Sequence, residues 1–553
     1  MSLDLTSYLN RQRLDHGPWQ AFERLIARFI EHGGFTDVAL VGGSSDFGAD
    51  VVAMKDGRRW VFQAKYRTSS KANSDAVMEA YNALWEYDAN VIVVATNYAF
   101  TQGAHRKANE LKEQGFDVRL WDQAFLLQAD EYIDEYSEVK RSLRDYQREA
   151  VDEINAALER GEPRGLVTLA TGLGKTVVAS TFIAEYLQSN LSSRVLVLAH
   201  LSELVKQLDR SSWCQFSKYT STHVWTDGER PAYSDGVTFA TWQSIQSALV
   251  RGENLEGVFD VVVVDECHHA PSDSFRSLLE ELNPRFTLGV TATPWRSDRE
   301  SLRPLFGDPL FSMDIVQGMQ RGYLARVNYQ MMVDTIDWEE VRELSEQGLT
   351  IKDLNQRLYV PERDDAMVER IVGEISRVPD HRVLVFCKSI NHAKRLQGFF
   401  MRYDTPAGVL YGNLHRKDKF QLMTDFRLGK LQILISIEML NEGIDVPEVN
   451  FVVFARVTHS RRIFLQQLGR GLRLSEGKTH VEVLDFVADI RRIAAALDIN
   501  AKAREYRYLE EVSYPDGEIV SFENYADDFF DEYLGDMASL NDLDEDAYLK
   551  FPE

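Results

Sequence analysis

A lysine and a threonine close a glycine-rich turn in this chain. Gly165 to Leu169 reads as a short buried strand that runs into Ala170-Thr171-Gly172-Leu173-Gly174-Lys175-Thr176, with a helical run to Tyr186 behind it. A turn of this kind can cradle phosphate: the glycines let backbone N–H groups close on the anion, and the helix N-terminus favours negative charge. Lys175 adds a cation, and the Thr176 hydroxyl can bind magnesium. The strict pattern wants an earlier glycine where Leu169 stands, so a glycine turn that merely packs would look similar. Further on, the β-branched run Val261 to Val264 ends in Asp265-Glu266-Cys267-His268. Carboxylates at the end of a central parallel strand sit where open α/β sheets bind ligands. Asp265 would hold magnesium through water, and Glu266 would orient or deprotonate an attacking water. A strand capped by surface acids is the alternative.

A third constellation lies near the N-terminus. Asp46-Phe47-Gly48-Ala49-Asp50 leads into two strands joined at Asp56-Gly57, the second ending Gln63-Ala64-Lys65. The hairpin can bring Asp50 and Lys65 to one edge, where a carboxylate holds a divalent cation and a lysine steadies hydroxide or a scissile phosphate. Glu23, on the preceding helix, could add a second carboxylate. Taken alone, this is also what a hairpin with ordinary surface polar residues looks like.

The elements that must hold these groups can be read from periodicity. Trp19 to Glu31 is an amphipathic helix; Val38 to Val41, Asp50 to Met54 and Arg59 to Lys65 are strands. Ser74 to Tyr87 is a helix, Val91 to Thr96 a buried strand, Gln102 to Gln114 a helix, and Val118 to Trp121 a last strand. From Leu143 to about Tyr329, and again from about Arg382 to Asp498, strands and helices alternate, which predicts parallel sheets covered on both faces. Thr335 to Ser376 is polar and helical in pattern and suits a hinge or a small insertion. The boundaries expected are 1–135, 136–330, 331–378, 379–510 and an acidic tail at 511–553.

At 553 residues the chain exceeds a single hydrophobic core. An apolar fraction of 44% is ordinary for a globular protein, and no run approaches the roughly 18 apolar residues of a membrane span. Met1 to His16 mixes charges without an apolar stretch, so no secretory signal is read and the cytoplasm is the expected compartment. Cys214, Cys267 and Cys387 have no paired spacing for zinc or a disulfide framework. The net charge of −24 would discourage a nucleic-acid partner if it were spread evenly. It is not: from Ser521 onward eleven acids stand against Lys550 alone. The tail either floats in solvent or occupies a basic strand groove as a decoy for phosphate.

The segment from Leu143 to about Asp485 resembles a superfamily 2 helicase of the DExH type, close to the motor subunits of type I and type III restriction enzymes. Leu143-Arg144-Asp145-Tyr146-Gln147 resembles the adenine-reading motif, which implies Gln147, beside Tyr146, as the base contact. Val195 to His200 and Thr238 to Trp242 resemble strand-contacting motifs, and Thr291-Ala292-Thr293-Pro294 the motif that couples hydrolysis to lobe movement. In the second half, Val383 to Lys388 resembles a motif start. Gly443 and Asp445 resemble sugar and phosphate sensors. Gln466-Gln467-Leu468-Gly469-Arg470-Gly471-Leu472-Arg473 matches Q-x-x-G-R-x-x-R. The resemblance implies two RecA-like lobes, ATP with Mg2+ as cofactors, Gln466 at the nucleotide, and Arg470 and Arg473 as arginine fingers. His268 and His269 would link the ATP site to the second lobe.

Phe22-Glu23, Gly48-Ala49-Asp50, Gln63-Ala64-Lys65, Val93 to Asn97 and Phe100-Thr101 followed by Ala104 resemble the Mrr-type restriction endonucleases over most of Pro18 to Leu127. That family commonly has Gln in place of the acid of the D/E-x-K half, so Gln63 fits. The implied fold class is α/β: a PD-(D/E)xK restriction-endonuclease-like domain followed by two RecA-like parallel-sheet lobes. The implied function is an ATP-dependent DNA translocase or helicase with a Mg-dependent endonuclease, acting in restriction or defence on double- or single-stranded DNA. Two rivals stand beside it: a repair helicase whose N-terminal domain docks on DNA without cutting, and an RNA helicase or RNA-sensing module. With no separate specificity domain or methyltransferase motif in view, a partner subunit could supply target recognition, and homo-oligomers are compatible.

Overall fold

The computed structural model describes residues 8–42, 48–233, 235–269, 272–292, 302–332, 363–378, 380–387, 389–412, 414–437, 446–455, 469–475, 477–486 and 518–522. The chain divides into two compact units, Met1–Leu169 with Gly174–Ser312, and Ala170–Leu173 with Met313–Glu553.

In the first unit, strands β1 (Thr36–Leu40), β2 (Val51–Lys55), β3 (Arg58–Lys65), β4 (Val91–Thr96) and β5 (Asp117–Trp121) form a sheet in sequence order. β1, β2 and β3 pair antiparallel, whereas β3, β4 and β5 pair parallel. The turn between β2 and β3 puts Asp56 at φ 52° and Gly57 at φ 70°, the pair of positive values that a tight two-residue hairpin requires. The helix Trp19–His32 presents Phe22, Ile26, Phe29 and Ile30 to the core of this domain, where they meet Val51, Phe62 and Val93. Trp213, from well beyond the domain, completes that core and is fully buried in it.

The second sheet of the first unit runs β12-β6-β11-β10-β7-β9-β8. Its strands are β6 (Arg164–Leu169), β7 (Arg194–Ala199), β8 (Thr222–Trp225), β9 (Gly236–Thr241), β10 (Val261–Asp265), β11 (Phe286–Thr291) and β12 (Pro309–Met313). The pairings β6·β11, β10·β11, β7·β10, β7·β9 and β8·β9 are all parallel, as the alternating pattern predicts. β10 lies in the middle with both faces covered, which is why its four valines are buried without alternation.

The second unit holds a sheet of order β15-β16-β14-β17-β18-β13-β19. Its strands are β13 (Arg326–Met332), β14 (Val383–Cys387), β15 (Ala407–Leu410), β16 (Ile433–Ile437), β17 (Phe451–Phe454), β18 (His480–Phe486) and β19 (Glu518–Phe522). Three sequence expectations shift here. β13, placed at the end of the first lobe, pairs in register with β18 and belongs to the second. The helix Arg363–Ile375, counted with the linker, sends Met367, Val368, Ile371 and Ile375 into the core under β14 and β16. Glu518–Phe522, counted with the tail, is a strand antiparallel to β13. The rest of the expected linker and tail lies outside the described residues.

One buried histidine makes the first unit acid-sensitive. His32 is 2% exposed, and its Nδ1 lies 3.3 Å from the Asp134 carbonyl, a contact that a neutral ring makes by donating. Burial, followed by the nearby Arg28 cation, pushes its pKa down to about 3. Unfolding releases the ring to an ordinary value of about 6.5, so the unfolded chain binds the extra proton between those values. Stability is therefore full above about pH 6.5 and falls as pH drops, by up to about 1.4 kcal/mol per unit. His32→Gln should flatten the dependence of the denaturation midpoint between pH 5 and 7; an unchanged slope would show that the ring does not set it.

Candidate active sites

The hairpin brings Asp50 and Gln63 together, and the helix Trp19–His32 brings Glu23 to them. Asp50 and Gln63 are each 3% exposed, and Asp50 Oδ2 accepts hydrogen bonds from Gln63 Nε2 at 2.6 Å and from the Ala64 amide at 2.7 Å. These bonds aim the other oxygen. A Cβ built on Gly42 would lie 2.9 Å from Asp50 Oδ1 and 3.2 Å from Glu23 Oε2, so the two carboxylates converge on the space this glycine leaves open. Two carboxylates with an amide alongside are hard oxygen donors of the kind a magnesium-sized cation takes. Among the described residues no group of three or more His, Cys, Asp or Glu converges to hold a metal ion, in keeping with Gln63 standing where a third acid would be.

Lys65 leaves the end of β3 and pairs with Glu79 at 2.5 Å. Glu79 lies on the helix Ser74–Glu86. The same helix crowds the loop before Asp50: at Gly48, φ is +85° and an added Cβ would come within 2.1 Å of the Glu79 carbonyl oxygen, so only glycine fits. Sequence reasoning missed Gly42 and Glu79. Gly42 carried a faint signal as the glycine following Val41; Glu79 carried none, because its role depends on a helix packing across β3.

In the motor half of the first unit, Lys175 opens the helix Lys175–Ser189, behind Gly172 at φ +94° and Gly174 at φ +83°. Its Nζ lies 3.5 Å from Glu266 Oε1 and 3.5 Å from the Leu169 carbonyl. Glu266 sits at φ 45°, a left-handed conformation that non-glycine residues avoid and that marks sites held by their surroundings. Its Oε2 is 3.3 Å from His268 Nδ1, which in turn lies 2.7 Å from Thr291 Oγ1. A continuous polar chain thus runs from Lys175 through Glu266 and His268 to Thr291. Thr176 and Asp265, the residues expected to serve magnesium, both line one small and mainly apolar recess with Ser180, Ile183, Phe239 and Val263.

Gln147 is 6% exposed and its amide oxygen accepts from the Arg144 N–H at 3.0 Å. Its Nε2 donates to Tyr146 Oη at 3.3 Å and lies 2.5 Å from where a Cβ on Gly174 would be. The segment that resembles an adenine-reading motif is thereby seated against the glycine turn, with Tyr146 buried behind it. In the second unit, Arg470 is 8% exposed, and a Cβ on Gly172 would meet the Gly469 carbonyl oxygen at 2.9 Å and Arg473 Cγ at 3.4 Å. Thr293, Pro294, Lys388, Gly443, Asp445 and Gln466 lie outside the described residues, as does the side chain of His269.

Comparison with known families matches each part in turn. Residues 140–296 match "Type III restriction enzyme, res subunit", 363–475 match "Helicase conserved C-terminal domain", and 14–129 match "Restriction endonuclease" of the Mrr catalytic type. The chain carries superfamily 2 helicase domains and an N-terminal Mrr-type restriction-endonuclease domain. This helicase is 28% identical over 382 residues to the type I restriction enzyme EcoAI endonuclease subunit of Escherichia coli, covering 63% of this chain and 46% of that protein. It is 24% identical over 369 residues to the DNA 3'-5' translocase XPB2 of Sulfurisphaera tokodaii, covering 60% of the helicase and 79% of the translocase. The helicase therefore spans about half the length of the restriction subunit it matches. Its fold is similar, with a TM-score of 0.51 at 17% identity over 94% of this chain and 42% of the other, to the ATP-dependent Type ISP restriction-modification enzyme LlaBIII bound to DNA. Among the described residues no helix is long and apolar enough to cross a membrane.

Proposed function

We propose that this helicase hydrolyses ATP to move along DNA and that its Mrr-type domain cuts the DNA with the help of Mg2+, in restriction of foreign DNA. The observation that supports this reading best is that one compact unit assembles both the Lys175–Glu266–His268–Thr291 chain and the Glu23–Asp50–Gln63 cluster, with Lys65 two residues beyond Gln63 and paired with Glu79.

In the motor, the amides from Thr171 to Gly174 receive the phosphates and Lys175 neutralises their charge. Thr176 and Asp265 hold the magnesium that accompanies ATP, and Glu266 orients the attacking water. Its contact with His268 passes the state of the site to Thr291, at the head of the coupling motif. Arg470 and Arg473 serve as arginine fingers on the transferring phosphoryl group, with Gly443, Asp445 and Gln466 at the nucleotide. In the nuclease, Glu23 and Asp50 hold the divalent cation, with Gln63 fixing Asp50 in place. Bound there, such a cation supplies Lewis-acid activation of water and charge neutralisation at the scissile phosphate. Lys65, released from Glu79 as DNA enters, steadies the phosphate.

The proposed partner is DNA, with target recognition supplied by a further subunit. Grip on the strand is largely electrostatic and weakens with salt. ATP hydrolysis should rise at least about tenfold with DNA and fall back as salt is raised, and plasmid should be cut in the presence of Mg2+. Stimulation by RNA alone would favour an RNA motor; stimulation by DNA without cutting would favour a repair helicase whose Mrr-type domain only binds.

A further inference from the structure

The helix Trp19–His32 carries three kinds of residue on three faces. Phe22, Ile26, Phe29 and Ile30 enter the nuclease core, and Glu23 faces Asp50 across Gly42. Arg24 and Arg28, one turn apart, find their hydrogen-bond and ion-pair partners outside the nuclease domain. Arg24 forks onto Glu229, with Nη1 to Oε2 at 2.8 Å and Nη2 to Oε1 at 2.5 Å, and its Nε lies 3.4 Å from Asp209 Oδ2. Arg28 donates to the carbonyls of Thr220 at 2.8 Å and Ser217 at 2.9 Å, under the ring of Tyr8. All four partners belong to the motor lobe.

The contact is dry. The Arg24, Asp209 and Glu229 side chains are 13%, 0% and 6% exposed, so the pairs are largely desolvated and their geometry is stiff. Asp209 is held from behind by Trp213 Nε1 at 3.0 Å, and it lies on the helix Ser202–Ser212 that follows β7. The segment resembling a strand-contacting motif, Val195 to His200, is β7 without its first residue, plus the residue after it. A short path, covalent along the chain to Asp209 and then across an ion pair to Arg24, therefore joins the proposed DNA-gripping edge of the motor to the adjacent Glu23.

We propose that Arg24 is a positioning residue of the nuclease centre, holding the Glu23 helix against Asp209 and Glu229 of the motor lobe so that Glu23 meets Asp50 at the spacing a divalent cation needs. The inference rests on the nuclease reading above. Glu23 reaches the site from a helix, whereas Asp50 is fixed by two hydrogen bonds within the β2–β3 hairpin, so the placement of Glu23 follows the placement of that helix. Arg24 also places a cation beside Glu23, and its simple removal would favour metal through charge while disfavouring it through geometry. Arg24→Lys separates the two, since it keeps the charge and loses the fork.

Manganese binding to the full chain without nucleotide, followed by calorimetry, is the test. The parent should bind Mn2+ and Asp50→Asn should not. Arg24→Lys should weaken binding on the order of tenfold, the range seen when groups that orient a metal ligand are altered. The Mn2+ needed for half-maximal plasmid cleavage should rise in step while the maximal rate recovers at saturating metal, and DNA-stimulated ATP hydrolysis should stay within about twofold of the parent. Should Arg24→Lys fail to fold, Glu229→Gln, which leaves the nuclease sequence intact, must weaken Mn2+ in the same direction. Parental Mn2+ affinity in Arg24→Lys, or in Glu229→Gln where that stands in, overturns the positioning role while leaving the nuclease standing. No Asp50-dependent binding in the parent overturns the nuclease reading and the positioning role with it.

Discussion

Lys175→Ala is expected to lower DNA-stimulated ATP hydrolysis by roughly 10³-fold, a loss on the scale of deleting a preorganised electrostatic contact to a developing charge. The Lys175 ammonium is held by Glu266 and the Leu169 carbonyl at the first residue of its helix, so little reorganisation separates it from an incoming phosphate. Its side chain is only 11% exposed, which weakens water's screening and raises the value of the charge. Alanine also leaves Glu266 without its cation, disturbing the residue that orients water. Phosphate release at saturating DNA measures the effect, and plasmid cleavage that does not depend on ATP should survive. Hydrolysis at the parental rate would remove the motor assignment.

Asp50→Asn should reduce plasmid cleavage by at least about 10²-fold with ATP hydrolysis within about twofold, because it removes one of two carboxylates from the proposed metal site. Asparagine is preferred to alanine because the position is buried and Asp50 Oδ2 serves two donors. An amide oxygen can still accept from Ala64, whereas alanine would leave Gln63 and the Ala64 N–H unpaired at a cost of about 1–3 kcal/mol each. Loss of cleavage in Asp50→Asn thus reports chemistry rather than unfolding, which the thermal midpoint checks directly. Cutting at the parental rate would leave the domain a DNA-binding module.

What could be read from residues alone follows the range of the interactions involved. The hairpin of β2 and β3, the helix Trp19–His32 and the buried run of β10 rest on local pattern, and each stands within a few residues of where periodicity put it. The phosphate turn and the Asp50–Gln63–Lys65 spacing are equally local. The lobe boundary was hidden because β13 finds its partner in β18, whose residues lie some 150 positions on, and no local signal says which sheet a strand joins. Arg363–Ile375 read as a polar hinge because its four inward residues are diluted by charge, and only the sheet beneath them reveals an apolar face. Glu79 and the docking of Arg24 were likewise out of reach, since each depends on a surface assembled from distant segments.

The tryptophan that fills the nuclease core from outside has a consequence for how this protein can be taken apart. Family boundaries invite a cut near residue 130, yet the piece so released would carry a hole where Trp213 had been, and large voids of that kind cost about 3–5 kcal/mol. The two halves of the first unit are thus separate in ancestry but not in thermodynamics: the cutter borrows part of its interior from the engine, and transplanting one without the other means rebuilding that shared wall.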